Sequence, residues 1–157
     1  MNVTLVGSEL LLKESLFGIG VMFIVMICNI YIFSSVAMAY RNRLMKSSYL
    51  GRHLEIMRYA AFTILLIVGM FLSLLIWVIS LNLFEIVTEW QSAVLLTFSF
   101  FTSVGNFTLE LPFGWRLIPS LIAFSGLFSF AGATAVTISM ARQLFDHLDK
   151  VNHSFGG

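Results

Sequence analysis

Residues 90 to 108 read Trp-Gln-Ser-Ala-Val-Leu-Leu-Thr-Phe-Ser-Phe-Phe-Thr-Ser-Val-Gly-Asn-Phe-Thr, and the reading of this stretch decides the fold. Its apolar part, about 13 residues at 90–102, makes a helix of only ~20 Å at ~1.5 Å per residue. That is too short to cross a bilayer core of ~30 Å. It runs into Thr102, Ser103, Val104, Gly105, Asn106, Phe107 and Thr108, and a long apolar run follows at 117–141. Non-helical backbone at membrane depth is tolerated only where protein buries it or it lines a water-filled path. Two readings stand on periodicity alone. In one, a short helix re-enters the membrane and its loop offers carbonyl oxygens that could replace the hydration shell of a cation. In the other, 90–102 is an interfacial amphipathic helix and 103–114 a surface loop.

Composition sets the surroundings. Of 157 residues, 59% are apolar, 15% aromatic and 11% charged, against the ~45–50% apolar content of a soluble domain. Three runs, 16–40, 59–84 and 117–141, have the ~20 apolar residues a spanning helix needs. The first lies too far from the amino end, and is too long, for a signal peptide's ~7–15-residue apolar region, and Glu9, Lys13 and Glu14 do not form a basic leader. Between the first two runs stand Arg41, Arg43, Lys46, Arg52 and Arg58 against Glu55 alone, which predicts a cytoplasmic loop. The amino terminus is then outside and the carboxyl terminus inside, followed through Arg142; Arg116 opposes the rule, and an interfacial arginine can snorkel. The basic loop is a topology determinant and a candidate contact for anionic lipid.

Other chemistries find little in the chain. A net charge of +1, with the basic residues gathered at one membrane edge, argues against nucleic-acid binding. Cys28, alone in an apolar run, reads as a packed thiol, and His53, His147 and His153 lack metal-ligand spacing. The spans hold serines and threonines but no histidine or carboxylate to activate them, so no nucleophile and base can be paired and no enzyme is expected. Sequons at Asn2, Asn106 and Asn152 carry no weight. Asn29 and Asn82 are lone polar groups in spans and predict hydrogen bonds to neighbouring helices. Gly126, Ala131, Gly132, Ala133 and Ala135 permit close approach of third-span helices, as packing or as a hinge. Residues 1–15 and 142–157 read as short ends, the latter frayed. A helix entering at Trp90 and stopping mid-membrane would point the negative end of its dipole inward, which favours a cation there.

Residues 91 to 135 resemble the pore module of the two-transmembrane, potassium-channel-like ion channels. The resemblance rests on Phe101-Thr102-Ser103-Val104-Gly105 at the start of the filter, Pro112 with Gly114-Trp115-Arg116 at the outer turn, and Gly126-Leu127-Phe128-Ser129-Phe130 in the following helix. Where the family has Thr-Val-Gly-Tyr-Gly-Asp, this chain has Ser103-Val104-Gly105-Asn106-Phe107-Thr108, without the second glycine. The resemblance implies an all-α membrane protein with three transmembrane helices, a re-entrant pore helix and a filter loop, assembled fourfold as a homotetramer in a bacterial inner membrane. It implies an N-terminal helix and basic loop at 1–58, a pore module at 59–141 and a short cytoplasmic tail at 142–157. Its expected function is passive cation permeation without a cofactor. Ser103, Val104 and Gly105 would transiently coordinate K+ or Na+, with Thr102 at the base of the filter. Asn106, Phe107 and Thr108 would shape its outer half. Glu110 reads either as one of four carboxylates ringing the outer mouth, which would raise the local cation concentration, or as a solvated loop acid. A residue with a Cβ costs roughly 1–2 kcal/mol in a left-handed conformation, so Phe107 should not copy a filter glycine, and weak selectivity among monovalent cations is expected. A non-conducting scaffold or accessory subunit that keeps the pore fold is the alternative.

Overall fold

In lipid a backbone must satisfy its own hydrogen bonds, so long apolar runs fold as helices. The computed structural model describes residues 2–46, 52–105, 111 and 115–155, and the side-chain surroundings of 15–45, 52–105, 111 and 115–149. The described residues form four α-helices and no strand: α1 (Asn2–Lys46), α2 (Arg52–Leu83), α3 (Trp90–Phe101) and α4 (Ile118–Phe155), the last preceded by a 3-10 turn at Trp115–Leu117. Three stretches, Ser15–Met45, Arg52–Leu83 and Trp115–Asp149, are long and apolar enough to cross a membrane. Phe23, Ile27, Ile64, Phe71, Phe124, Leu127 and Ile138 are all at least half exposed. An apolar surface of that extent belongs in lipid rather than water, and the chain is a multi-pass membrane protein.

The contacts fix direction and register. Gly18 approaches Ile118 and Leu121, and Phe33 approaches Gly132, while Asn29 bonds Ser129; numbers rise together, so α1 and α4 run parallel. Against α2 they oppose: Asn29 meets Ser73, Tyr40 stacks edge-on against Phe62 at 5.5 Å, and Trp77 bonds Ser125. Three long helices therefore bundle with α2 antiparallel to its two neighbours. Lipid tails solvate leucine as well as another leucine does, so close packing and hydrogen bonds hold such a bundle. Trp77, Leu66 and Ile122 are fully buried within it, as is Tyr40 near one end. Aromatic clusters tie both ends, Phe17 with Phe84 (4.4 Å) and Trp115 (5.6 Å) at one, Tyr40 with Tyr59 (6.5 Å) and Phe62 at the other.

Helix boundaries depart from the apolar runs. Arg41 and Arg43 sit on α1, and Arg52 and Arg58 on α2, so the basic stretch between Arg41 and Arg58 is mostly two helix ends rather than a loop. α1 is helical from Asn2, and α4 continues through Phe155, where the carboxyl end was expected to fray. Lysine and arginine are good helix formers, and a helix leaving the bilayer has no reason to stop at the last apolar residue. Glu55 is likewise no loop acid: it is fully buried, with Arg58 at 3.1 Å one turn on.

Candidate functional site

The reversal after α2 aims everything that follows. Glu85 adopts φ 55°, and the amides of Ile86 and Glu85 donate to the carbonyls of Leu81 (3.0 Å) and Asn82 (3.1 Å). This pair of bonds around a left-handed residue is a Schellman ending, which closes the carbonyls of the last turn. The Asn82 amide then donates to the carbonyls of Val87 (3.3 Å) and Thr88 (3.2 Å). Asn82 thus secures its own turn and not a neighbouring helix as expected. Six residues after α2 the chain starts back as α3, where the Ser92 hydroxyl donates to the Glu89 carboxylate at 2.7 Å.

α3 runs into the bundle rather than across its end. Ala93, Leu96, Thr97 and Phe101 form its buried face, wedged between α2 and α4. Phe71, Leu74, Leu75 and Val78 of α2 line an apolar crevice with Val94 and Phe98 of α3. The last turn of α3 rests on Gly126: a Cβ there would overlap the Phe101 carbonyl oxygen and lie 2.8 Å from its carbon and 3.0 Å from its Cα. The Phe101 and Phe130 rings meet beside this seat at 6.2 Å. Gly126 is eight residues into α4, so α3 ends ~12 Å along that helix. Gly126 therefore receives α3, and a Cβ on Gly132 would lie 3.1 Å from the Phe33 ring of α1; both close approaches lie within one chain.

From this seat the chain turns out of the helix. The Thr102 hydroxyl and amide both donate to the Phe98 carbonyl (2.8 and 3.1 Å). The Ser103 amide bonds Phe100 at 2.9 Å and the Gly105 amide bonds Ser99 at 3.1 Å. Ser103 and Gly105 are both left-handed, φ 60° and 65°; glycine takes this conformation freely, whereas serine does so at a cost of ~1–2 kcal/mol. Ser103, Val104 and Gly105 are exposed, Val104 at 71%, and a Cβ on Gly105 would meet nothing within 4 Å. Asn106, Phe107, Thr108, Glu110, Pro112 and Gly114 lie outside the described residues.

A buried polar network stands beside the seat. The Asn29 amide donates to the Ser129 hydroxyl at 2.7 Å, and the Ser73 hydroxyl donates to the Asn29 carbonyl oxygen at 2.8 Å. Ser129 donates to the Ser125 carbonyl (2.7 Å), and the Trp77 indole donates to the Ser125 hydroxyl (2.8 Å). All five side chains are at most 1% exposed. Sequence reading singled out Asn29 but not its partners. The spacing of four residues between Ser73 and Trp77, and between Ser125 and Ser129, places each pair on one helix face, which was the available signal. Among the described residues no group of three His, Cys, Asp or Glu side chains could hold a metal ion. Comparison of the chain with protein-family models, curated proteins and solved structures finds no match.

Proposed function

We propose that the chain is one subunit of a passive channel for monovalent cations. The observation that carries this reading is the seat of α3: a helix too short to span ends inside the bundle on Gly126 and releases the exposed, alternately left-handed Ser103-Val104-Gly105. Left-handed residues turn successive carbonyls in new directions, the requirement for a ladder of oxygens facing an ion. The helix end beside them presents the negative pole of its dipole.

One chain cannot enclose such a path. A closed fourfold ring of identical subunits brings four loops to a common axis, with α4 innermost. Phe124, Leu127, Ala131, Thr134 and Ile138, all exposed along one face of α4, then line the vestibule below the filter. Asn106, Phe107 and Thr108 complete the filter, Glu110 faces the outer mouth, and the basic ends of α1 and α2 face the cytoplasm of a bacterial inner membrane.

Purified protein reconstituted in planar bilayers tests the reading through reversal potentials in potassium, sodium and chloride gradients. Cation-selective currents from particles with a fourfold axis are the expected result. Folded protein that carries no current, or particles without an axis lined by Gly105, would refute it and favour a scaffold.

A further inference from the structure

α1 presents two opposite faces. Val21, Val25, Asn29 and Phe33 point into the bundle and are buried, whereas Ile24, Ile27 and Tyr31, spaced three and four residues apart on the far side of the helix, are 54, 64 and 76% exposed. α2 is two-faced in the same way. Phe62, Gly69 and Ser73 meet α1. On the other side, by the helical period of ~3.6 residues, Phe71, Leu74, Leu75 and Val78 join Val94 and Phe98 of α3 around the apolar crevice, about 230 Å³ in volume. Val78 is buried there, while Phe71, Leu75 and Phe98 are half exposed. Among the described residues α1 and α3 each pack against α2 and α4 but not against one another. Each chain thus carries an apolar ridge on one flank and an apolar crevice on another.

Ridge and crevice lie at one depth. Asn29 is level with Ser73 and Tyr40 with Phe62. This antiparallel register sets Ile24 level with Val78, Ile27 with Leu75 and Tyr31 with Phe71. A symmetry axis along the membrane normal holds every copy at the same depth, so the match carries from one copy to the next. The chemistry matches as well: no polar side chain lines the crevice, and the ridge offers two branched aliphatic chains and an aromatic ring. In lipid, where apolar contact alone gains little over acyl chains, fitted packing of side chains supplies the attraction between helices.

We propose that the outward stripe of α1 in one copy docks in the α2–α3 crevice of the next. Ile24 and Ile27 enter the crevice, and the Tyr31 ring covers its end at Phe71. The contact joins different patches on the two copies, and a heterologous contact of this kind generates a ring when its rotation closes. The inference rests on the fourfold ring proposed above and names the contact that builds it. It also gives α1 a task beyond its own bundle, since it braces the face of a neighbouring α3 that carries Val94 and Phe98. An acyl chain in the crevice and a twofold pairing of two α1 stripes are the rival arrangements.

The test is disulfide trapping in native membranes, on the full chain with Cys28, its only cysteine, changed to serine. Two Cα atoms must come within ~7 Å to be bridged. Ile27→Cys and Leu75→Cys on one chain face opposite ways, so mild oxidation should link different copies, in a ladder of up to four chains. Mixed expression of tagged Ile27→Cys with untagged Leu75→Cys should yield dimers holding one of each, and either variant alone should give no link. Ile27→Ala should lower the tetramer-to-monomer ratio in detergent about tenfold, equivalent to ~1.4 kcal/mol, with helix content unchanged; an unchanged ratio would overturn the contact. Fourfold particles without a link between positions 27 and 75 would assign the crevice to lipid and overturn it while leaving the channel reading in place. Ile27→Cys linking to itself would replace it with the twofold pairing of α1. Particles without a fourfold axis would overturn the ring and the contact together.

Discussion

Replacing Gly126 by alanine tests the seat on which the functional reading depends. The added Cβ would overlap the Phe101 carbonyl oxygen, with the attached carbon at 2.8 Å and Cα at 3.0 Å. All three are backbone atoms at the end of a wedged helix and cannot rotate away, so α3 or α4 must move. Two other glycines supply the scale. At Gly132 the same Cβ would meet only Phe33 ring atoms at 3.1 and 3.2 Å, and at Gly20 it would meet nothing within 4 Å. All three glycines lie in helices, so the helix-propensity gain of ~0.8–1 kcal/mol on replacing glycine by alanine is common to them and cancels on comparison. Overpacking against atoms that cannot relax costs ~1–3 kcal/mol; tilting a ring off its preferred rotamer costs ~0.5–1.5 kcal/mol. Relative to Gly20→Ala, Gly126→Ala should therefore lose ~1–3 kcal/mol and Gly132→Ala less, ~0.5–1.5 kcal/mol. Equilibrium unfolding in mixed dodecylmaltoside and sodium dodecyl sulfate micelles, followed by circular dichroism, measures all three. A folded Gly126→Ala protein should also lose bilayer current, since Ser103 follows Phe101 by two residues. If Gly126→Ala matched Gly20→Ala in both stability and current, α3 would not rest on α4 as described.

Asn29→Ala removes two hydrogen bonds and should cost ~1–2 kcal/mol, given ~0.6 kcal/mol for an average interhelical bond in a membrane. A double-mutant cycle with Ser73→Ala should give a coupling of the same order as one such bond, whereas additivity would show the contact to be inert. Glu110→Gln should lower conductance at 0.1 M salt and hardly at 1 M, where screening shortens from ~10 to ~3 Å; equal losses would exclude a surface-charge role. If the chain is the channel proposed, the double change Asn106→Tyr with Phe107→Gly should raise the potassium-to-sodium permeability ratio by returning backbone freedom to the outer half of the proposed filter. A parent already strongly potassium-selective would refute the argument from the missing glycine.

The three spans were legible because a run of about 20 apolar residues is nearly unambiguous in lipid. The short helix at 90–102 was legible because its length excludes spanning, and it forms as α3 one residue shorter. Periodicity could not decide whether it lay on the surface or entered the bundle. That depended on which residue received its end, and glycine at 126 marks a close approach without naming the partner. The sequence pointed to contact between third spans; the partner is the backbone of Phe101. Glu85 in a left-handed turn was hidden because glutamate carries no signal for that conformation. The partners of Asn29 lie 44 and 100 residues away, and a register across that separation is not encoded in local pattern. Glu55 was placed in the loop because it precedes the apolar run at 59–84, and its burial follows only from α2 starting earlier than that run.

The polar network also gives the first span a physical reason to be present. Apolar side chains gain little by leaving lipid for one another, so a helix made only of such residues has weak grounds to hold one depth and rotation against its neighbours. Asn29 supplies those grounds by bonding α2 and α4 together, donating to Ser129 while accepting from Ser73. Ser129 in turn holds the carbonyl of Ser125, the residue before the glycine on which α3 ends. Sliding α1 by one residue, ~1.5 Å, would break both bonds of Asn29 in a medium with no water to replace them. The depth of α3 is thus fixed from two directions, by backbone contact at Gly126 and by a clamp whose centre is on α1. In the proposed channel α3 would end inside the bilayer without an interface to anchor that end, so its position would be set by contacts of this kind.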